Sequence, residues 1–332
     1  MLTTARLNLA LSGALGIGVI AALAVHAGLG TIYRALDHVG WLGLAWVCML
    51  QLGSMAFCAA AWKSVAEDTS FLSCLAARFI RNGVSNLAGI VPVLGEVAGA
   101  RALSLLGATT AIAAASTVVD VALESLSQAI YTLIGLIPLV LVVHPDELTR
   151  WLGAIVVAMA PIFAVFVITR RRGALRAAER IIVRVARTLG FSDAGATLDL
   201  ERNVLDIYER HRHVWLALLL HLAGWFMSAV QLWAAAQALD RPLSAGEALA
   251  LQSLAYAARG AFFFVPGGFG VQEGAFVLVG VVLGVDPASA LALSLVLRAR
   301  DILLGLPALM LWYTAEGRRR WHLVRMPTTT KP

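Results

Sequence analysis

The 332-residue chain is 60% hydrophobic and 14% charged, with a mean hydropathy of +0.81 and a formal net charge of +6. A soluble domain carries about 25% charged residues, so the composition excludes a water-soluble globule and leaves an all-α polytopic integral membrane protein. The positive charge lies mostly in two segments beside apolar sequence, which argues for anchoring at an anionic membrane face and against nucleic-acid binding.

Residues 8–30 form the first run to reach the roughly 20 apolar residues that a bilayer crossing needs. This run lacks a strongly basic flank and an Ala-x-Ala end, so it reads as a retained helix. Residues 31–40, with Arg34, Asp37 and His38, read as a short interfacial turn. A second span covers 41–62, with tryptophan at both ends, where aromatic belts sit. A polar loop follows at 63–70.

Residues 71–106 are less ordinary. Arg78, Arg81, Asn82 and Asn86 precede a break at Gly89-Ile-Val-Pro92-Val-Leu-Gly95, and Glu96 and Arg101 follow it. The run 109–143 is apolar, carries Asp120 and Glu124, and reads as interrupted near Gly135 and Pro138. After a polar loop at 144–150 comes another span at 151–169. Residues 170–213 hold ten arginines against six acids. There Arg176, Arg180, Arg184 and Arg187 share one helical face, opposite Leu175, Ile182 and Leu189, the pattern of a basic amphipathic helix on an anionic leaflet or of an elbow packed on the bundle.

A span at 214–239 leads to a second broken element at 247–284. Within it Phe262-Phe-Phe-Val-Pro266-Gly-Gly-Phe-Gly270 runs directly into Val-Gln-Glu273. Proline lacks the N–H that a continuing helix needs, and broken backbone survives in a membrane only where protein or a watery cavity surrounds it. Pro92, Gly95, Pro266, Gly267, Gly268 and Gly270 are therefore read as hinges. Glu273, an acid within apolar sequence, is read as functional. The last span covers 288–314, and a basic tail, 315–332, carries Arg318, Arg319, Arg320 and Arg325.

The basic segments place residues 170–213, the tail and both termini on the cytoplasmic side. With each broken element taken as a re-entrant hairpin, the expectation is six full spans plus two hairpins. The breaks correspond: Val91-Pro92 matches Val265-Pro266, Leu106-Gly107 matches Leu283-Gly284, and Glu124 then falls opposite Asp301. The topology sends the hairpins in from opposite faces, as an inverted repeat of 41–143 and 214–314 separated by the basic segment.

Two polar stripes run along apolar helices. Ser116, Asp120, Glu124 and Ser127 share one face; Ser294, Arg298, Asp301 and Gly305 share another, with Arg300 pointing elsewhere. Asp120 and Glu124, one turn apart, cannot both ionise unpaired in a dry site: an arginine neutralises one, or one keeps a proton. Arginines and acids in such a cavity suit a lipid headgroup, or pair with one another to fix helix packing. HExxH, GxSxG, P-loop and dinucleotide motifs are absent, and no cofactor or metal is implied. His221, alone on an apolar helix, reads as packing. Asp120 and Glu124 without a nearby histidine make a thin metal pair.

Pro266-Gly267-Gly268-x-Gly270-x-x-Glu273 resembles the signature of the lysyl-phosphatidylglycerol synthase transmembrane family. Gly95-Glu96-Val-Ala-Gly99-Ala-Arg101, with Asp120, Glu124 and Leu126-Ser127-Gln128, resembles more narrowly the hopanoid-biosynthesis-associated membrane proteins of that family. The resemblance implies one flippase-like transmembrane domain over 1–314 in a bacterial inner membrane, handling anionic or hopanoid-type lipids beside lipid-biosynthesis enzymes. The chain ends soon after Tyr313, so the soluble aminoacyl-transferase domain of full-length synthases has no counterpart here, and headgroup aminoacylation is not expected. The substrate site expected on this basis comprises Glu273, Glu96, Arg101, Asp120, Glu124, Arg259, Arg298 and Asp301. The alternatives are a membrane-embedded enzyme acting on lipid headgroups and a non-transporting scaffold for a lipid-synthesis complex.

Overall fold

A computed structural model describes residues 29–87, 93–142, 200–262, 265, 268 and 270–325. Among the described residues every regular element is a helix: α1 Leu29–Val65, α2 Phe71–Leu87, α3 Leu94–Leu105, α4 Thr110–Val142, α5 Leu200–Glu209, α6 His211–Ala238, α7 Ala245–Ala261, α8 Val271–Val282 and α9 Pro287–Arg325. Most of the span expected at 8–30, the span at 151–169 and the basic face from Arg176 to Arg187 lie outside the described residues. So do Pro92, Pro266 and Gly267.

Three described helices are long and apolar enough to cross a bilayer: Val39–Val65, Thr110–Leu141 and His211–Ala238. Their outward faces carry apolar side chains such as Trp46, Leu133 and Leu219, which would be a liability in water but suit lipid tails. The chain is a multi-pass helical membrane protein. The remaining long helix, α9, carries Arg298, Arg300 and Asp301 inward. Its 39 residues amount to about 58 Å, more than a bilayer core requires, so it runs on into the basic tail.

Two expectations change. Residues 31–40 are helical, and the turn is confined to Gly40, whose φ of 65° kinks α1 at the start of the apolar span. Helix α4 also continues unbroken through Gly135 and Pro138. Gly135 is explained by packing instead, since Ser253 of α7 lies against it.

Both broken elements consist of a 17-residue helix, a break and a 12-residue helix. At about 26 Å and 18 Å, neither arm alone spans a hydrocarbon core of about 30 Å. The register is telling. Phe71–Leu87 and Ala245–Ala261 are displaced by 174 residues at both ends, whereas Leu94–Leu105 and Val271–Val282 are displaced by 177. The second break is three residues longer, and nothing else in the pair of hairpins has slipped. Each 12-residue helix closes the same way. Gly107 (φ 113°) and Gly284 (φ 78°) adopt left-handed dihedrals, and Ala108 and Val285 donate back five residues to Leu103 O (3.2 Å) and Gly280 O (2.8 Å).

The start of α9, matched to α4 at the same displacement of 177, is capped by Asp286. Its Oδ1 accepts from the N–H groups of Ala288 (3.0 Å) and Ser289 (3.1 Å). Donors from Ser289, side chain foremost, hold this exposed carboxyl below the usual aspartate range.

Packing is reciprocal. Helix α2 lies on α9 while α7 lies on α4, so each hairpin packs its first arm on the long helix of the other half. Helices α1 and α6 pack on each other between them. Small residues permit the close approach. A Cβ at Gly83 would sit 2.5 Å from Ala308 Cβ, and one at Gly135 would sit 2.6 Å from Ser253 Cβ. Gly83→Ala and Gly135→Ala should therefore each destabilise the protein by about 1–3 kcal/mol through overpacking. Thermal unfolding in detergent checks this, and unchanged midpoints for both variants would refute the tight contacts.

Candidate functional site

Helix α2 is amphipathic in an unusual sense, because its buried face includes Arg78 and Arg81, only 4% and 6% exposed. Their spacing of three residues puts both guanidinium groups on one side of the helix. Facing them on α4 are Asp120, fully buried, and Glu124, four residues on. Arg78 Nη1 donates to Asp120 Oδ2 (3.2 Å) and Glu124 Oε2 (3.0 Å), and its Nη2 pairs closely with Glu124 Oε1. Arg81 Nη1 donates to Asp120 Oδ2 (2.8 Å) and its Nη2 to Glu124 Oε2 (2.9 Å). Two planar forks thus cross two carboxylates, a geometry that lysine could not reproduce.

Three other elements close this network. Glu96, in the first turn of α3, lies 3.5 Å from Arg81 Nη2. His221 of α6 is fully buried, with Nε2 2.9 Å from Asp120 Oδ1. Trp225, one turn on, donates from Nε1 to Ser127 Oγ (3.1 Å). Trp62 of α1 donates to Ser116 Oγ (3.1 Å) and presses its ring on α3 near Gly99, where Arg81 also packs. Of the two expected ways to accommodate Asp120 and Glu124, arginine pairing is the one the structure shows, with two arginines and a histidine on the pair of acids.

The second network surrounds the longer break. Gly270 (φ 75°) begins α8, and Glu273 three residues on reaches back, Oε2 accepting from Gly270 N–H at 2.8 Å. Its other oxygen, Oε1, accepts from Arg298 Nε (3.1 Å) and Nη2 (2.8 Å). Glu273 is therefore not a mid-helix charge. It occupies the first turn of α8, where the exposed N–H groups and the helix dipole favour an anion. Arg298 Nη2 also reaches Gly268 O at 3.4 Å, tying the break itself to α9. Within the break, Val265 N–H donates to Phe262 O and Gly268 N–H to Val265 O, both at 2.9 Å, so the described backbone satisfies itself by tight turns.

Glu96 and Glu273 hold the same station. Each is the third residue of a 12-residue helix, and each helix starts after a residue in a left-handed conformation, Val93 (φ 80°) and Gly270 (φ 75°). For glycine that φ is unstrained; for β-branched valine it costs of order 1–3 kcal/mol. The strained residue thus stands at the first break.

Arg259, in the last turn of α7, joins the two breaks. Its Nη2 donates to Asn86 Oδ1 of α2 (2.8 Å) and its Nη1 to Gln272 Oε1 of α8 (3.3 Å), while its stem packs against Gly268. Among the described residues it makes no ion pair, and amide oxygens are its hydrogen-bond partners. Asp301 is paired with Arg300, whose Nη2 lies 2.7 Å from Asp301 Oδ1 and whose Nη1 meets Gln231 Oε1 of α6 closely. Arg300, expected to point away from the polar stripe, is only 2% exposed, because α9 is enclosed on more than one side.

Of the expected site residues, Asp120, Glu124 and Glu96 share the first network. Glu273, Arg298 and Gly268 share the second, with Arg259 beside them. Asp301 belongs to a neighbouring pair. Arg101 lies apart from both networks, its Nε and Nη2 each 3.4 Å from Glu316 near the end of α9. Gly95 packs tightly on α2, where a Cβ would meet Ser85 Oγ at 1.8 Å. Pro92, Pro266 and Gly267 fall outside the described residues.

The residues that site selection missed are Arg78, Arg81, His221, Asn86 and Gln272. For the arginines a signal existed: two like charges three apart on one apolar helix, and two opposite charges four apart on another. Nothing local marks His221. Cys58 Sγ, a Glu124 oxygen and a His221 ring nitrogen lie within 4.8 Å of one another. Arg78 and Arg81 already occupy that carboxylate, however, so a divalent cation would meet two guanidinium charges there.

Residues 9–308 match the family described as the lysylphosphatidylglycerol synthase TM region. No curated protein and no solved structure matches the chain.

The first network makes a specific energetic prediction. Removing one arginine strands carboxylate charge in a dry interior, at a cost of about 3–5 kcal/mol, whereas removing a matched pair does not. Arg78→Leu should lower the unfolding midpoint sharply, and Arg78→Leu combined with Glu124→Leu should restore much of it. Equal losses in the single and double variants would show that the charges are not coupled.

Proposed function

The chain belongs to the lysylphosphatidylglycerol synthase TM family, and from that membership and the site's geometry we propose that it is a flippase-like or lipid-binding transporter. Its cargo is an envelope lipid of the anionic or hopanoid type in a bacterial inner membrane. The observation that carries the proposal is Arg259. A cation with only amide partners stands where two interrupted helices meet, with Arg298 on the adjoining element. A lipid phosphate supplies the anion that this arrangement lacks, and its acyl chains stay in the bilayer. The first network, by contrast, offers three acids against two arginines and a histidine, and serves as the fixed frame.

In this reading the two halves are an inverted repeat. The reciprocal packing of α2 on α9 and α7 on α4, and the equal lengths of the paired helices at displacements of 174 and 177 residues, support it. Six full spans with two re-entrant hairpins, and cytoplasmic termini, complete the topology. Contacts with lipid-biosynthesis enzymes belong to the same proposal, as does docking of 170–213 and the tail on the anionic leaflet. Glu273 shapes the second break for the lipid by bonding Gly270 and Arg298 together, which holds both the backbone turn and the Arg298 guanidinium in place.

The test is Glu273→Gln, which keeps a side-chain oxygen for Gly270 but removes the charge that Arg298 needs. In reconstituted liposomes, transbilayer movement of a fluorescent anionic phospholipid should slow by about tenfold, the worth of one charged hydrogen bond. An unchanged rate in a folded variant rules out this role for Glu273.

A further inference from the structure

Away from both networks, a cavity of about 400 Å³ opens where the end of α1, the turn into α2 and the start of α6 meet. Its walls are of two kinds. Phe71, Leu216 and Leu220 form an apolar side, while Lys63, Asp68 and His213 stand on a polar rim. The surroundings locate it at a membrane border: Leu72, Trp215 and Leu219 are exposed apolar neighbours on the outer surface, 60–72% accessible. Charged and polar residues lie directly beyond them, in the turn and in His211, Arg212 and His213.

The rim is built, not slack. Thr69 Oγ1 donates to Ala66 O (2.8 Å), Ser70 Oγ accepts from Ser73 N–H (3.0 Å) to cap α2, and Asp68 takes a left-handed φ of 54°. Ser64 Oγ donates to His213 O (3.3 Å), which joins α1 to α6, and Arg210 closes on Glu67. That pair is internally neutral. The Lys63 ammonium, the Asp68 carboxylate and the His213 imidazole make no hydrogen bond or ion pair among the described residues. The cavity therefore presents the Lys63 cation, the Asp68 anion and the His213 imidazole over an apolar wall, none of them paired among the described residues.

We propose that this cavity binds the headgroup of a zwitterionic glycerophospholipid bearing a primary amine. Its phosphate would meet Lys63 and His213, its ammonium would meet Asp68, and its acyl chains would run down the exposed apolar face beside Leu216. An anionic headgroup without an amine leaves Asp68 opposed by phosphate, and a quaternary amine offers that carboxylate no N–H donor. The site depends on the chain's being a membrane protein and not on its moving lipid.

The full chain would be reconstituted in nanodiscs of phosphatidylcholine, phosphatidylethanolamine and phosphatidylglycerol in equal parts, then released for native mass spectrometry. Phosphatidylethanolamine should be retained over phosphatidylcholine by about tenfold, the worth of a charge-assisted hydrogen bond. Asp68→Asn should erase that preference, and Lys63→Gln should reduce retention of every phospholipid. Both substitutions are on exposed side chains, and unchanged unfolding midpoints establish that the variants are folded. Preferential retention of phosphatidylglycerol, no preference at all, or a preference that survives Asp68→Asn overturns the proposal. The assay reads retention by the resting protein, so its failure leaves the transport reading standing, and an unchanged translocation rate in Glu273→Gln leaves this site standing.

Discussion

Lipid solvates neither a charge nor a broken hydrogen-bond ladder, and most of the architecture follows from that constraint. Each ion taken from water into the interior costs several kcal/mol even after relaxation, and the cost is recovered only when every oxygen and N–H finds a partner. Arg78 and Arg81 meet most of it by spanning both Asp120 and Glu124 with five donor contacts, with Glu96 and His221 at the outer edges, while Arg78 Nε and His221 Nδ1 are left without a partner. This network ties α2, α3 and α4 of the first half to α6 of the second by charge pairing as well as by packing. The helices around it can then be almost wholly apolar, as Val119, Leu123 and Ala217 are beside the acids.

The same constraint is met differently in the second half. There the charges are distributed over separate joints: Glu273 with Arg298, Asp301 with Arg300, and Arg259 with Asn86 and Gln272. Each joint rests on one or two contacts, and Arg259 is held by neutral amides only. The break is also three residues longer, with Gly270 where the first half has the strained Val93. Equivalent positions thus differ in charge pairing: acids and cations meet one another in the first network, whereas in the second half Arg259 rests on amide oxygens.

Much of this was legible in the sequence, for identifiable reasons. Apolar runs long enough to cross a bilayer reported the cores of α1, α4 and α6. Pro92 and Pro266 reported the breaks, because proline and glycine disrupt a helix whatever surrounds them. The Leu106-Gly107 and Leu283-Gly284 steps reported the ends of α3 and α8, where a left-handed residue is required. Local sequence misled at Gly135 and Pro138, since a glycine that accommodates a neighbouring helix looks the same as one that ends its own. It was silent on partners. Asp120 lies 101 residues from His221, and nothing near either residue encodes that meeting. The embedded arginines were visible, but which of them served the acids depended on α2 and α4 lying face to face.

Glu273 illustrates why position within a helix matters more than the presence of a charge. In the middle of an apolar helix an acid costs roughly 2.5–3.5 kcal/mol on insertion scales. In the first turn the balance reverses, because unpaired N–H groups and the helix dipole provide a positive end that an acid satisfies. Both breaks use this device, placing Glu96 and Glu273 three residues into a short helix. A break in a membrane helix creates an unsatisfied N-terminus; Glu273 answers it by accepting from Gly270 N–H, whereas Glu96 adds its charge in the first turn without a capping bond. An arginine from elsewhere then balances the acid: Arg81 on the preceding arm in the first half, Arg298 on the following helix in the second. Break, acid and arginine form one unit most fully at the second break, where Glu273 bonds both the Gly270 N–H that opens α8 and the Arg298 guanidinium; at the first, Arg81 also serves Asp120 and Glu124.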